Sequence, residues 1–243
     1  MEKPQYATLA PHKEDVKNMF DDIAHSYDGL NHTLSFGVDH SWRKQAIKYL
    51  AKNGKYRTIL DVATGTGDFA ILANKILNPN QIIGIDISDK MLEIGKRKVE
   101  EINMSSVISF RNEDCSCLSF ENNSFDAVIS AFALRNFENL DKCLSEMFRV
   151  IKPGGRIAVI DLCTPHKAPM KQLFWCYKKM IMPVIGRMVS YNETAYSYLP
   201  HTMDIIPQGN DMLEYFISAG FKNTKYRRLK FQMCILYTAI KQH

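Results

Sequence analysis

No apolar run in this chain of 243 residues reaches the roughly 18 residues that would cross a bilayer as a helix. The first residues, Met1-Glu2-Lys3-Pro4-Gln5-Tyr6, lack the apolar stretch of a signal peptide, so a cytoplasmic protein is expected. There is no internal repeat and no low-complexity tract. One large domain, or one domain with an insertion, fits the length. The 6 cysteines are scattered, and the chain is large enough to fold without disulfides, so reduced thiols are the simple account. Cys115-x-Cys117 lacks a second pair or a His cluster, and no metal is expected. Charge is not extreme either: a net +5 permits an acidic partner without demanding one. Lys222, Lys225, Arg227, Arg228 and Lys230 do cluster around Tyr226. A nucleic-acid patch would use such residues. The solvent face of an edge hairpin, where charge discourages aggregation, explains them better. No nucleic-acid partner is expected.

What is present is a full core and one distinctive turn. Hydrophobic residues make up 46% of the chain. The run Ile59-Leu60-Asp61-Val62-Ala63-Thr64-Gly65-Thr66-Gly67-Asp68 reads as a buried strand entering a Gly-x-Gly turn, with a helix starting near Asp68. Glycine allows a sharp turn and close approach to a ligand, and the helix start offers free N–H groups. A second strand, Gln81 to Asp86, ends in a carboxylate about 20 residues on, placed to accept the hydroxyls of a ribose. Proteins that bind NAD and proteins that bind S-adenosylmethionine (SAM) both use this arrangement.

Later segments favour SAM. Ser88-Asp89-Lys90-Met91-Leu92 opens a helix. Val107 to Arg111 reads as a third strand, followed by Asp114-Cys115, where an acid suits an adenine amino group. Ser124 to Ile129 and the turn Lys152-Pro153-Gly154-Gly155 follow. This ordered set resembles the class I SAM-dependent methyltransferases over about residues 57 to 163. The resemblance implies an α/β, Rossmann-like fold with a mostly parallel seven-stranded sheet and an antiparallel last strand. Thr66 and Gly67 are expected on the methionine side, Gly65 at the cofactor in the same turn, Asp86 at the ribose and Asp114 at the adenine. The Cys115 backbone should lie beside Asp114, and Ala131 should border the cofactor through its main chain.

Around that core the chain divides into four stretches. Residues 1–56 form an N-terminal helical cap, with helices expected at 13–27 and 40–52. Residues 57–163 form the core, with helices near 68–77, 88–103 and 139–151. Residues 164–206, rich in Met, Tyr and Pro, read as a helical lid insertion. Residues 207–243 give a helix stopping at Gly220 and a hairpin of strands near 222–229 and 232–240.

Phe20-Asp21-Asp22-Ile23-Ala24-His25-Ser26-Tyr27-Asp28-Gly29-Leu30-Asn31, Leu34-Ser35-Phe36-Gly37 and Trp42 narrow the resemblance. With Phe132-Ala133-Leu134-Arg135-Asn136 and Ser197-Tyr198-Leu199-Pro200, they resemble the ubiquinone/menaquinone C-methyltransferases over nearly the whole chain. The chain departs from that pattern at Asp39, where the family usually has His. It also departs at Asp161-Leu162-Cys163, often Glu-x-Ser, and near Gln232, often Gly.

The family implies methyl transfer from SAM to a ring carbon of a polyprenylated hydroquinone, with a naphthoquinol, demethylmenaquinol, as the expected acceptor; a benzoquinol stays open. Arg135 and Asn136 are the candidates near the ring, and Tyr27 and Asp28 lie in the segment expected over SAM. Arg stays charged, so Arg135 would stabilise a developing phenolate or orient a water. His25 has the chemistry of a base, although a lone His is more often structural. Met170, Leu173, Phe174, Tyr177 and Ile181 fall on one helical face among Lys171, Lys178 and Lys179, with Arg187 downstream. That pattern suits either a lid packed on its own core or transient contact with the inner face of an anionic membrane. A homo-oligomer stays open. Other readings are a different methyl acceptor and an NAD-dependent oxidoreductase, whose fingerprint Gly65-x-Gly67-x-x-Ala70 fits loosely, though no second catalytic domain is evident.

Overall fold

A computed structural model of the chain describes residues 10–35, 37–176, 179 and 202–242. Two helices, α1 (Lys13–Ile23) and α2 (Tyr27–Leu34), are joined by a short 3-10 turn and followed by α3 (Val38–Asn53). Strands and helices then alternate: β1 (Thr58–Val62), α4 (Asp68–Leu77), β2 (Gln81–Asp86), α5 (Asp89–Glu101), β3 (Ile108–Asn112), β4 (Phe125–Ala131), α6 (Leu140–Val150) and β5 (Ile151–Leu162). After α7 (Met170–Cys176) come α8 (Asn210–Ser218), β6 (Lys222–Arg228) and β7 (Cys234–Ile240).

The strands form one 7-stranded sheet in the order β3-β2-β1-β4-β5-β7-β6. The pairings from β3 through β5 are parallel, and β7 runs antiparallel to both β5 and β6. The antiparallel last strand is therefore as expected. The interior strands are apolar on both sides because helices cover both faces. Leu60 and Val62 of β1 face one cluster with Leu144, Met147 and Phe216. Ile59, pointing to the opposite face of the strand, belongs to the other cluster, with Ile47, Leu50 and Phe69. The edge strand β6 is mostly exposed, which accounts for its Lys and Arg content.

Local sequence explains the helix starts. Ser88 Oγ accepts from the Met91 N–H at 3.2 Å, and Asn139 Oδ1 accepts from the Lys142 N–H at 3.0 Å. Of the apolar stripe that the sequence places over 139–151, Leu140, Cys143, Leu144 and Met147 are buried on α6, Phe148 is half-buried, and Ile151 is buried as the first residue of β5. The expected 13–27 helix ends at Ile23, and the 3-10 turn turns Tyr27 into α2. The sequence puts Val16, Met19, Phe20, Ile23 and Tyr27 at helical spacing over 13–27; of these only Val16 is fully buried, and the other four are half-buried.

The insertion is described only in part. Tyr177, Lys178, Ile181, Arg187 and the Ser197–Pro200 motif lie outside the described residues. Within α7, Phe174 is buried and Leu173 is exposed, so these two do not share one packed face. Among the described residues, no helix is long and apolar enough to cross a membrane.

Candidate active site

A cavity opens at the carboxyl ends of β1, β2 and β4. Ala63, Gly65, Asp86, Ala131 and Phe132 come from the strand ends, Asp114 and Cys115 from the loop after β3, and Asn136 and Phe137 from the turn after β4. Lys13, Val16, Phe20 and Tyr27 of the N-terminal helices line its remaining wall. The half-buried stripe on those helices thus faces a cavity rather than a solid core.

The Gly-x-Gly turn fixes Asp86. Gly65, at φ +56°, donates its N–H to Asp86 Oδ2 at 2.8 Å, and the Ser88 N–H donates to Oδ1 at 3.0 Å. Burial raises the Asp86 pKa, and the two N–H groups oppose that rise. The carboxylate is therefore oriented by main chain, a rigid mount for a diol. Gly67, at φ +82°, has a different constraint: a Cβ there would come within 2.7 Å of the Phe110 ring. Its smallness serves packing between α4 and β3.

Thr66 and Gly67, expected on the methionine side, do not line this cavity. The buried Thr66 hydroxyl donates to Asp28 Oδ1 at 2.6 Å and accepts from Lys98 Nζ at 3.0 Å. Lys98 also pairs with Asp28 at 2.5 Å and Asp68 at 2.8 Å. These bonds tie α2 to the turn. Further along, Asp21 Oδ1 accepts from the Ser88 hydroxyl at 2.5 Å, which ties α1 to the N-terminus of α5.

Asp114 Oδ1 accepts from the Ser116 N–H at 2.8 Å, and Oδ2 pairs with Lys13 Nζ at 3.0 Å. Burial works against its charge, but the Ser116 N–H and Lys13 hold its pKa below the usual carboxylate range. Cys115 Sγ lies 2.6 Å from Cys143 Sγ, and both residues line the cavity. That contact, with burial, pushes the Cys115 thiol pKa up.

Arg135 departs from expectation. Its side chain is buried and does not line the cavity. The guanidinium pairs with Asp161, whose Oδ2 also accepts the Arg135 main-chain N–H at 3.1 Å. The 3-10 turn Leu134–Asn136 sends Arg135 toward the end of β5 and brings the next residue, Asn136, to the cavity. Tyr27 also lines it, with Phe20 in edge contact at 5.7 Å. His25 is exposed and outside the lining.

Two further ionisable groups, Asp61 and Asp39, are buried outside the cavity lining. Asp61 accepts from the Thr64 hydroxyl at 2.7 Å, and burial raises its pKa to about 7. Asp39, where the resembled family usually has His, pairs with Arg43 and accepts from Ser35 Oγ at 2.7 Å. Arg43 in turn lies 5.0 Å from the centre of the Phe132 ring. Asp39 is thus part of the support of a cavity residue.

Sequence reasoning missed Lys13, Lys98, Cys143 and the pairing role of Asp161. Asp161 had a signal, a carboxylate at the end of β5. The others meet their partners across more than 25 positions of chain.

Residues 8–241 match the model of the ubiE/COQ5 methyltransferase family. A demethylmenaquinone methyltransferase of Bacteroides fragilis is 50% identical over 97% of this chain and 96% of its own length. One of Porphyromonas gingivalis is 40% identical, again over 97% and 96%. A SAM-dependent methyltransferase from Aquifex aeolicus shares the fold at TM-score 0.60 and 18% identity, over 81% of this chain and 89% of that one. Phosphoethanolamine N-methyltransferase 2 of Haemonchus contortus, solved with S-adenosyl-L-methionine, shares it at TM-score 0.61 and 16% identity, over 82% and 52%.

Proposed function

The chain belongs to the ubiE/COQ5 methyltransferase family, and from that premise we propose that it is a SAM-dependent C-methyltransferase converting demethylmenaquinol to menaquinol. The 50% identity to a full-length demethylmenaquinone methyltransferase is the observation that carries the acceptor assignment. It favours a naphthoquinol over a benzoquinol and sets aside the nicotinamide reading.

The residues present fit SAM. Asp86, oriented by two N–H groups, would accept the ribose hydroxyls. Asp114 would accept the adenine amino group beside the Cys115 main chain. Gly65 and Ala131 would border the ligand through backbone, and the Lys13 ammonium would yield or share Asp114. When bound, SAM supplies an electrophilic methyl group.

The chain's own contribution is positioning and proton management. The acceptor ring must lose a hydroxyl proton to gain electron density, then a ring proton from the methylated carbon. A phenol with pKa near 10 needs help to ionise at neutral pH. Asn136 would hold a quinol oxygen with its amide, and Tyr27 would present its hydroxyl from the helical side. Arg135, committed to Asp161, would act through the turn that carries Asn136 rather than at the ring. Phe20, Phe132 and Phe137 give that part of the cavity the apolar surface an aromatic ring needs and exclude water from the reacting carbon.

On this reading the protein would work from the cytoplasm, with peripheral contact at the inner face of the membrane, where a polyprenylated acceptor would reside. The segment 167–188 is the proposed contact, with Lys171 and Lys179 exposed and Lys178 outside the described residues. Purified enzyme with methyl-labelled SAM and demethylmenaquinol should yield labelled menaquinol. Failure of that transfer, with transfer to another acceptor, would move the substrate assignment.

A further inference from the structure

The hairpin joining β6 and β7 turns through Lys230, Phe231 and Gln232. Phe231 is 51% exposed, although it is large and apolar. It adopts φ +63°, and Gln232 follows at φ +56°, both in the left-handed region that glycine favours. This is the place where the resembled family often carries Gly. The tip is nevertheless held firmly. The Leu229 N–H donates to Cys234 O at 2.8 Å and the Gln232 N–H to Leu229 O at 2.9 Å. Trp42 Nε1 donates to Lys230 O at 3.2 Å. A braced turn in a costly conformation displays an aromatic ring to solvent.

Its location connects it to the cavity. Trp42 packs edge-on against Phe132, a cavity-lining residue, with ring centres 6.3 Å apart. Cys234 pairs with Leu162 at the carboxyl end of β5, so the tip leaves the sheet at the end where the cavity opens. The insertion leaves from the same end and is stitched to the tip. Arg228 donates to Thr164 O at 3.0 Å, and the Cys163 N–H donates to Met233 O at 2.9 Å. From that root, α7 displays Leu173 and Trp175, each 57% exposed.

Charge selects the partner. Neither 163–176 nor 222–232 contains an Asp or Glu, whereas Lys167, Lys171, Arg227 and Lys230 are all exposed. Exposed aromatic and aliphatic side chains on two segments whose charged residues are all basic match an anionic lipid surface. We propose that the β6–β7 tip is a second bilayer contact, with Phe231 entering the interfacial layer and Lys230 and Arg227 meeting anionic headgroups. The tip and α7 would together seat the cavity end of the sheet on the membrane. This deepens the reading of a lipid-tailed acceptor and rests on it.

The test uses the full chain and equimolar phosphatidylglycerol–phosphatidylcholine vesicles. Phe231→Gly suits the left-handed turn, so it should fold with unchanged or higher thermal stability. It should lower vesicle binding roughly five- to tenfold, the loss of one interfacial aromatic anchor. Phe231→Trp in a Trp175→Phe background reports the tip directly, because the remaining tryptophan, Trp42, is buried. Its emission should shift blue and be quenched by vesicles brominated along the acyl chain. Unquenched emission, or full vesicle binding by Phe231→Gly, overturns the proposal. Equal binding to pure phosphatidylcholine overturns its electrostatic half. Concentration-dependent dimerisation lost in Phe231→Gly, without vesicle binding, assigns the tip to a second copy instead. Methylation of a short-tailed naphthoquinol without vesicle contact sinks this inference and leaves the acceptor reading standing. Vesicle contact without quinol methylation does the reverse.

Discussion

Asp161 holds Arg135 at two places: one carboxylate oxygen pairs with the guanidinium and the other accepts the Arg135 main-chain N–H at 3.1 Å. Both residues are buried. The pair fixes the turn that presents Asn136 to the cavity, so it couples stability to geometry at the site.

Removing one partner of a buried pair leaves the other uncompensated. Arg135→Ala and Asp161→Ala should each cost about 3–5 kcal/mol of stability in urea unfolding. Turnover should fall roughly 100-fold in folded protein, with SAM affinity nearly intact, because the loss lies in positioning the acceptor. The double variant Arg135→Met/Asp161→Leu should regain most of the stability and little of the turnover. Equal recovery of both would make the pair a structural brace alone.

Asp86 should govern cofactor binding. Asp86→Ala is expected to weaken SAM by roughly 2–4 kcal/mol in calorimetry, since a charge-assisted contact to the ribose is lost. Unchanged affinity in a folded variant removes the ribose assignment.

The buried Asp61 carries a pH signature. Burial raises its folded pKa from 3.8 to about 7. Below about pH 4 both folded and unfolded chains hold the proton and the group contributes nothing. Between about pH 4 and 7 the unfolded chain releases it first, so stability falls as pH rises, by on the order of 4 kcal/mol in total. Asp61→Asn keeps an acceptor for Thr64 and lacks the titration. The difference in unfolding free energy between variant and parent should grow across that window and stay flat below it. A pH-independent difference would show that Asp61 ionises normally.

Lys98 is the latch for the N-terminal helices. Burial disfavours its charge, yet Asp68 and Asp28 raise its pKa above 10.5. Its contribution is therefore complete at neutral pH and is lost only as pH rises through that elevated value. Lys98→Met should speed hydrogen exchange across residues 13–34 while leaving β1 to β5 protected. Exchange unchanged in that segment would mean the helices are held by packing alone.

The parallel core was legible in the sequence because its signals are local. Apolar runs ending at Asp61 and Asp86, the Gly65-x-Gly67 turn and the α6 stripe each specify an element from neighbouring residues. Burial on both faces then leaves the sheet few arrangements. The same locality placed Asp86, Gly65 and Ala131 at strand ends and Asp114 in the loop just after one, and these converge on one cavity. Side-chain direction was not local. Thr66 and Arg135 each stand beside a cavity residue in sequence, yet both point away from the cavity. Their directions were decided by Asp28 and Lys98 in one case, and by Asp161 at the end of β5 in the other. A buried charge or hydroxyl turns toward the partner that satisfies it, and only the tertiary structure determines which partner is within reach.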